Sequence, residues 1–268
     1  MIPHTRLRPR ERGFTLVELA LVMGIVALLL GGLMVPVARM LEQKATATTQ
    51  AALETAQQAL LGFALLNQRL PCPAVGSDGV AGTYDPVNGC VSPPAPTFSD
   101  LTDASWGYLP WATLGVSGAD AWGNRLRYAV STPLTNTGGL TATQLRNSNL
   151  ITITCTMQVI GNIPSCFSGT TSIQPATSAT FVVYSHGKNG RGAVSMDGET
   201  NVASPPALSD EIQNLPSASA GTAATRRNFV FRFRTDATHP AGEFDDLMVW
   251  MPANLLAAKL LAAEKWTP

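Results

Sequence analysis

The hydrophobic pattern divides the chain into three regimes. From Gly13-Phe14-Thr15-Leu16-Val17-Glu18 to about Val37, apolar and small residues follow one another and Glu18 is the only charge. About 20 apolar residues in a helix span the hydrocarbon core of a bilayer, so this run predicts a membrane-crossing helix. Over residues 38–68 the composition shifts to Ala, Leu, Gln and Glu, all good helix formers. Leu53, Ala56, Leu60 and Phe63 recur there at helical spacing and define one apolar stripe, with Glu42, Lys44, Glu54 and Gln57 facing elsewhere. Pro36 predicts a kink or loosening where the helix leaves the membrane. The pattern alone allows one helix or two. Leu70-Pro71-Cys72-Pro73 ends it, because two prolines cannot continue a helix.

Beyond residue 69 the period changes from helical to alternating. Residues 74–105 are glycine- and proline-rich and read as a long loop. Gly123-Asn124 is a turn signal, and Arg125–Val130 reads as a strand with Leu126, Tyr128 and Val130 on one face. Asp120 is placed to cap that turn, and Trp122 to bury against the helix. Ile151, Ile153, Cys155, Met157 and Val159 alternate with polar residues, and Phe181–Ser185 is a further strand. In Asn228–Arg234, Phe229, Phe231 and Phe233 face one side while Arg232 and Arg234 face the other. Asp245–Met251 supplies a last strand. Short helices are predicted near Ala142–Asn147 and after Pro252, where Leu255, Leu256, Leu260 and Leu261 are helically spaced. The fold class is therefore α+β: a long N-terminal helix against an antiparallel sheet of four or more strands.

Charge gives this layout an orientation. Arg6, Arg8, Arg10 and Arg12 precede the apolar run, and such an excess stays cytoplasmic, leaving the rest of the chain outside. Outside the cytoplasm disulfides are permitted. Cys72, Cys90, Cys155 and Cys166 allow three pairings. Cys72–Cys90 and Cys155–Cys166 are favoured because each closes a short, turn-rich segment; the alternative is that some thiols are buried and free. Zinc is disfavoured, since it wants C-x-x-C pairs with histidines nearby. Glu18 is the anomaly. An acid within a bilayer costs roughly 2.5–3.5 kcal/mol on insertion scales, so it usually has a partner and a role. No cation lies on the next turns of its own helix.

Gly13-Phe14-Thr15-Leu16-Val17-Glu18-Leu19, behind a short basic segment, closely resembles the class III leader site of type IV pilins and type II secretion pseudopilins. The resemblance covers about the first forty residues. It implies cleavage after Gly13, N-methylation of Phe14 by the same prepilin peptidase, and polymerisation through the apolar helix, with Glu18 pairing with the new α-amino group of a neighbour. It also implies one continuous helix whose second half is built into the head. The chain then divides into a leader (1–13), a membrane and filament-core helix (14–37), its continuation (38–68) and a β-rich head (69–268). The implied partners are other pilin-like subunits, the peptidase/methyltransferase and an inner-membrane assembly platform. The implied location is the bacterial inner membrane with the head in the periplasm, then a filament. Asp120-Ala121-Trp122-Gly123-Asn124…Tyr128 resembles the stretch leading into the first head strand of major pseudopilins. The competing function is a membrane-anchored adhesin or DNA-capturing head that does not polymerise.

Chemistry in the head is sparse. Asp197, Glu199 and Asn201 are alternating oxygen donors after the glycine cluster His186–Gly192. Calcium wants such oxygens, and major pseudopilins place a calcium site in the loop after the corresponding strand. A solvated acidic loop is the competing reading. Asp245 and Asp246, as strand neighbours, are expected to face opposite ways. His186 has no nucleophile partner and Ser185 is not in G-x-S-x-G, so no enzyme is expected. Arg226, Arg227, Arg232 and Arg234 make at most a basic stripe. Losing residues 1–13 removes four of 18 basic and one of 18 acidic residues, leaving 14 and 17. That balance makes nucleic acid an unlikely general partner.

Overall fold

The computed structural model describes residues 15–87, 89–91, 104–146, 150–160, 163–165, 171–199, 210–215, 228–238 and 242–265. Side chains at 30–35, 104, 156–160, 163–165, 171–175 and 177 also lie outside the description. The chain forms two compact units, Met1–Lys44 and Ala45–Pro268.

In the first unit the described residues are helical from Leu16, the start of α1 (Leu16–Asn67, 52 residues), which runs through Pro36 without a break. The single helix matches the pattern implied by the resemblance. Among the described residues no helix is long and apolar enough to cross a membrane. The apolar run of the sequence continues through 30–35, whose side chains are not described.

The second unit is α+β. Leu53, Ala56, Leu60 and Ala64 of α1 are fully buried. They pack on Leu126, Tyr128, Val130, Phe181, Val183 and Met251 of the sheet. Each such leucine contributes about 1.5–3 kcal/mol by leaving water. Phe63, expected in the stripe, is half-buried instead, and Ala64 takes the inner position. The Arg69 guanidinium lies over the Phe63 ring at 5.3 Å and over Tyr84 at 3.6 Å. Gln68, in the left-handed region at φ 52°, turns the chain just before the two prolines.

A small antiparallel pair follows, β1 (Tyr84–Asp85) and β2 (Gly89–Cys90). The main sheet has seven strands: β3 (Ala104–Tyr108), β4 (Arg127–Ser131), β5 (Ile151–Ile160), β6 (Ile163–Ser165), β7 (Thr171–Ser185), β8 (Asn228–Val230) and β9 (Leu247–Pro252). β7 organises it. Its first half pairs with β5, and its second half with β4 and β9, all antiparallel. The sheet is mixed rather than purely antiparallel, because β8 joins β5 in parallel; a parallel neighbour needs a long crossover, and β8 arrives only after one. Short helices α2 (Trp111–Leu114), α3 (Ala142–Leu145) and α4 (Ala253–Ala262) complete the unit. α3 starts where Thr141 Oγ1 accepts the Gln144 N–H, an N-cap. α4 buries Leu256 and Leu260 beside α1's stripe and exposes Leu255 and Leu261.

The other sheet face carries a second core of Ala129, Ile151, Ile153, Val182, Tyr184, Phe229 and Met248. The two-residue alternation of β4, β7 and β9 produces both cores. In the motif before β4 the turn forms as expected, while Trp122, expected to bury against the helix, is only half-buried. Asp120 Oδ1 accepts the Trp122 and Asn124 N–H groups, and Thr49 Oγ1 of α1 accepts the Ala121 N–H.

Cys72 and Cys90 form a disulfide across 18 residues. Cys155 is also disulfide-bonded; Cys166, the partner favoured from sequence, lies outside the described residues. Replacing Cys72 and Cys90 by serine is expected to cost about 3 kcal/mol, the loop-closure estimate for this span. The readout is a lower urea midpoint, with a slope equal to or slightly above the wild type's because the unfolded chain is less constrained. A loss below about 1 kcal/mol would mean that the Cys90 N–H bond to Thr135 Oγ1 and the β1–β2 pair hold the loop without it.

Candidate functional site

The first functional element is the start of α1. Thr15 Oγ1 accepts the Glu18 N–H at 3.2 Å, and Thr15 O accepts the Leu19 N–H. Thr15-Leu16-Val17-Glu18 thus has the spacing of a capping box, with an acid in the first turn where the helix dipole favours it. The side chains of residues 15–29 are all exposed, including Leu16, Val17, Leu19, Leu21, Val22, Met23, Ile25, Val26, Leu28 and Leu29. Apolar surface this extensive and continuous marks a membrane or protein contact. Glu18 is the only charge within it. Gly13 and Phe14 lie outside the described residues.

The second element is a buried group of carboxylates. The pairing of Ser185 with Leu247 brings the turn after β7 beside the residues that precede β9. Asp245 and Asp246 precede that strand rather than belonging to it, so the expected opposite orientation does not hold and both are buried. Glu211, on the 3-10 turn Asp210–Asn214, comes in from a third segment and is 1% exposed. Carboxylate oxygens of Glu211, Asp245 and Asp246 lie within 4.8 Å of one another. Asn189 N–H donates to Asp245 Oδ2 at 2.7 Å, and Asn189 Nδ2 to Glu211 Oε1 at 3.1 Å. Glu211 Oε1 also accepts the Asp245 N–H, and Asp246 Oδ2 accepts Asn214 Nδ2. Gly187, at φ 65°, lies where a Cβ would collide with Asp245, so this approach requires glycine.

Electrostatics leave the cluster unbalanced. Burial, then Asp246 and Asp245, push the Glu211 carboxyl up to about 7. Burial raises Asp245 to about 6 against the opposing Asn189 N–H. Glu211 Oε2 and Asp245 Oδ1 are buried with no hydrogen-bond partner. So are both ring nitrogens of His186, whose Nδ1 lies 3.7 Å from Asp246 Oδ1. An all-oxygen donor set with orphaned oxygens fits a hard divalent cation, and in its absence a shared proton.

The other residues singled out from sequence are placed differently. Asp197 and Glu199 are exposed, and Asn201 lies outside the described residues. Arg232, read from sequence as part of a basic stripe opposite the phenylalanines, is only 1% exposed. It pairs with Asp210 at 3.2 Å, donates to Gly242 O and Glu243 O, and lies over Phe244. Alternation assigned it to the right side of the chain; the turn at 210–214 and the 242–244 segment then cover that side. Arg234 donates to Thr46 Oγ1; Arg226 and Arg227 lie outside the described residues. Ser185 Oγ donates to Asp120 Oδ2 and accepts the Gly187 N–H, a structural use.

Residues 8–34 match the prokaryotic N-terminal methylation motif, the type IV pilin and pseudopilin signature. Neither curated proteins nor solved structures provide a match.

Proposed function

We propose that this chain is a pilin-like structural subunit, a minor pilin or pseudopilin. It is cleaved after Gly13, N-methylated at Phe14 and assembled through α1 into a type IV pilus or type II secretion pseudopilus. The observation that carries this reading is the methylation motif at 8–34 leading into a helix whose described first half exposes apolar side chains around one acid. The full apolar run anchors the subunit in the inner membrane with its head in the periplasm, and the same surface forms the filament core. Mass spectrometry of membrane-extracted protein tests it. The expected mature species begins at Phe14 and carries one added methyl group. An intact leader in cells with a working prepilin peptidase would overturn the reading.

We further propose that Glu211, Asp245 and Asp246, rather than the exposed loop of Asp197 and Glu199, form a calcium site. Support comes from burial, mutual distance and the orphaned oxygens. A cation there would supply the missing positive charge that ties the turn after β7, the 210–214 turn and the entry to β9 together.

A further inference from the structure

We infer that Arg125 and Arg127 form a receptor for one small oxyanion, a carboxylate or phosphate group. This inference is independent of how the chain assembles. Arg127 opens β4 and Arg125 lies two residues before it, so both alternate with Leu126 and Tyr128, which enter the core with α1. Tyr108 of β3 stands directly across from Arg127 in the register. The Arg127 guanidinium lies 4.5 Å from the Tyr108 ring centre and that of Arg125 5.2 Å, so two cations share one aromatic ring.

The loop at 190–199 straps over them. Arg125 N–H donates to Val194 O, and Met196 N–H to Gly123 O. Arg125 Nη2 donates to Met196 O at 2.9 Å, and Arg127 Nη2 to Gly192 O at 3.3 Å. Those are the only side-chain hydrogen bonds of either arginine among the described residues. Each guanidinium has five donor hydrogens, so most are unused. The Nε of each is buried without a partner. Arg125 is 4% and Arg127 7% exposed, yet among the described residues neither forms an ion pair. Arg232, by contrast, has Asp210.

A buried charge with no countercharge is strongly unfavourable, and two side by side add mutual repulsion. Carbonyl bonds and the Tyr108 face offset part of this but neutralise nothing. An oxyanion does both, because its oxygens match the planar N–H fork of a guanidinium. The same need accounts for arginine at both 125 and 127. A strut holding a carbonyl requires no charge.

The test uses the full chain in a non-ionic detergent, with phosphate titrated against chloride at constant ionic strength. The thermal midpoint should rise and saturate in the millimolar range, and the phosphorus-31 resonance should broaden. Arg125→Gln and Arg127→Gln should each weaken half-saturation by about tenfold. If both variants unfold, the broadening in the wild type, and its reversal by sulfate, still tests the claim. Repeating the titration with acetate separates sources: saturation by acetate indicates a carboxylate side chain of a neighbouring subunit, whereas response to phosphate alone indicates a free tetrahedral anion. A wild-type response no larger than that to chloride, or one retained in the folded double variant, overturns the inference.

Discussion

Replacing Glu18 by alanine should leave the head folded and the protein in the membrane while abolishing its entry into filaments. The substitution removes the only charge from an apolar surface, so anchoring alone becomes easier. On the assembly proposed above, what is lost is the pairing of a carboxylate with the α-amino group that cleavage would create on Phe14 of an adjacent subunit. Holding an unpaired acid in the bilayer costs roughly 2.5–3.5 kcal/mol. In that assembly a subunit joining the growing base would recover that cost by finding the amine. About 3 kcal/mol is roughly a 100-fold preference for the assembled over the free state. Sheared filaments should therefore contain about 1% of the wild-type amount at equal membrane abundance.

Glu18→Asp is the informative companion. It keeps the charge but shortens the reach by one methylene, and it should incorporate partially. Glu18→Gln keeps the shape and the helix start, where only the Glu18 N–H bonds to Thr15 Oγ1, and should fail like alanine. Normal incorporation of both the alanine and glutamine variants would exclude charge pairing. Function without any filament would favour the anchored binding module instead.

The sequence was most legible where one periodicity met one partner. The stripe of Leu53, Ala56 and Leu60 and the inward set Leu126, Tyr128 and Val130 meet each other in the structure. The Cys72–Cys90 bridge, the Asp120 turn and both short helices also followed from local chemistry. Strand β3 was not read as a strand, because Trp106-Gly107-Tyr108 alternates no polar residue against its aromatics and a proline follows. Burial of Arg232 and the meeting of Glu211 with Asp245 and Asp246 were invisible for a different reason. Alternation tells which way a side chain points, not which distant segment will cover it. Glu211 sits beside Asp210 at the end of a Ser- and Pro-rich stretch. Its only local signal is an acidic start to a turn, and its partners lie 22 residues away in Asn189 and 34 away in Asp245. The methylation motif was legible for the opposite reason: its information lies in contiguous residues read by an enzyme before the head matters.

In chelator, the head should be more stable at pH 5 than at pH 8, and calcium should reverse that order. Glu211 titrates near 4.5 when unfolded but at about 7 in the folded protein. Asp245 moves from 3.8 to about 6. The folded state thus retains protons that the unfolded state has released. The resulting stability is fully present below pH 4, is lost in steps as pH climbs through 6 and 7, and is gone by about pH 8. For Glu211 the loss is on the order of 2 kcal/mol, less than the bare shift implies because the neighbouring carboxyls titrate with it. A divalent cation binds these carboxyls only when they are ionised, so millimolar calcium should restore the loss at pH 8 and do little at pH 5. Glu211→Gln puts an amide oxygen where the carboxylate Oε1 accepts from Asn189 and from the Asp245 N–H, and it removes one charge. It should flatten the pH profile and weaken the calcium response together. Urea unfolding of the detergent-solubilised chain at both pH values, with chelator and with calcium, reads all four corners. Equal stability at pH 5 and 8 would mean that the carboxyls are not held above their ordinary range. A pH slope without any calcium response would leave a proton, not a cation, as the charge that this cluster was built to hold.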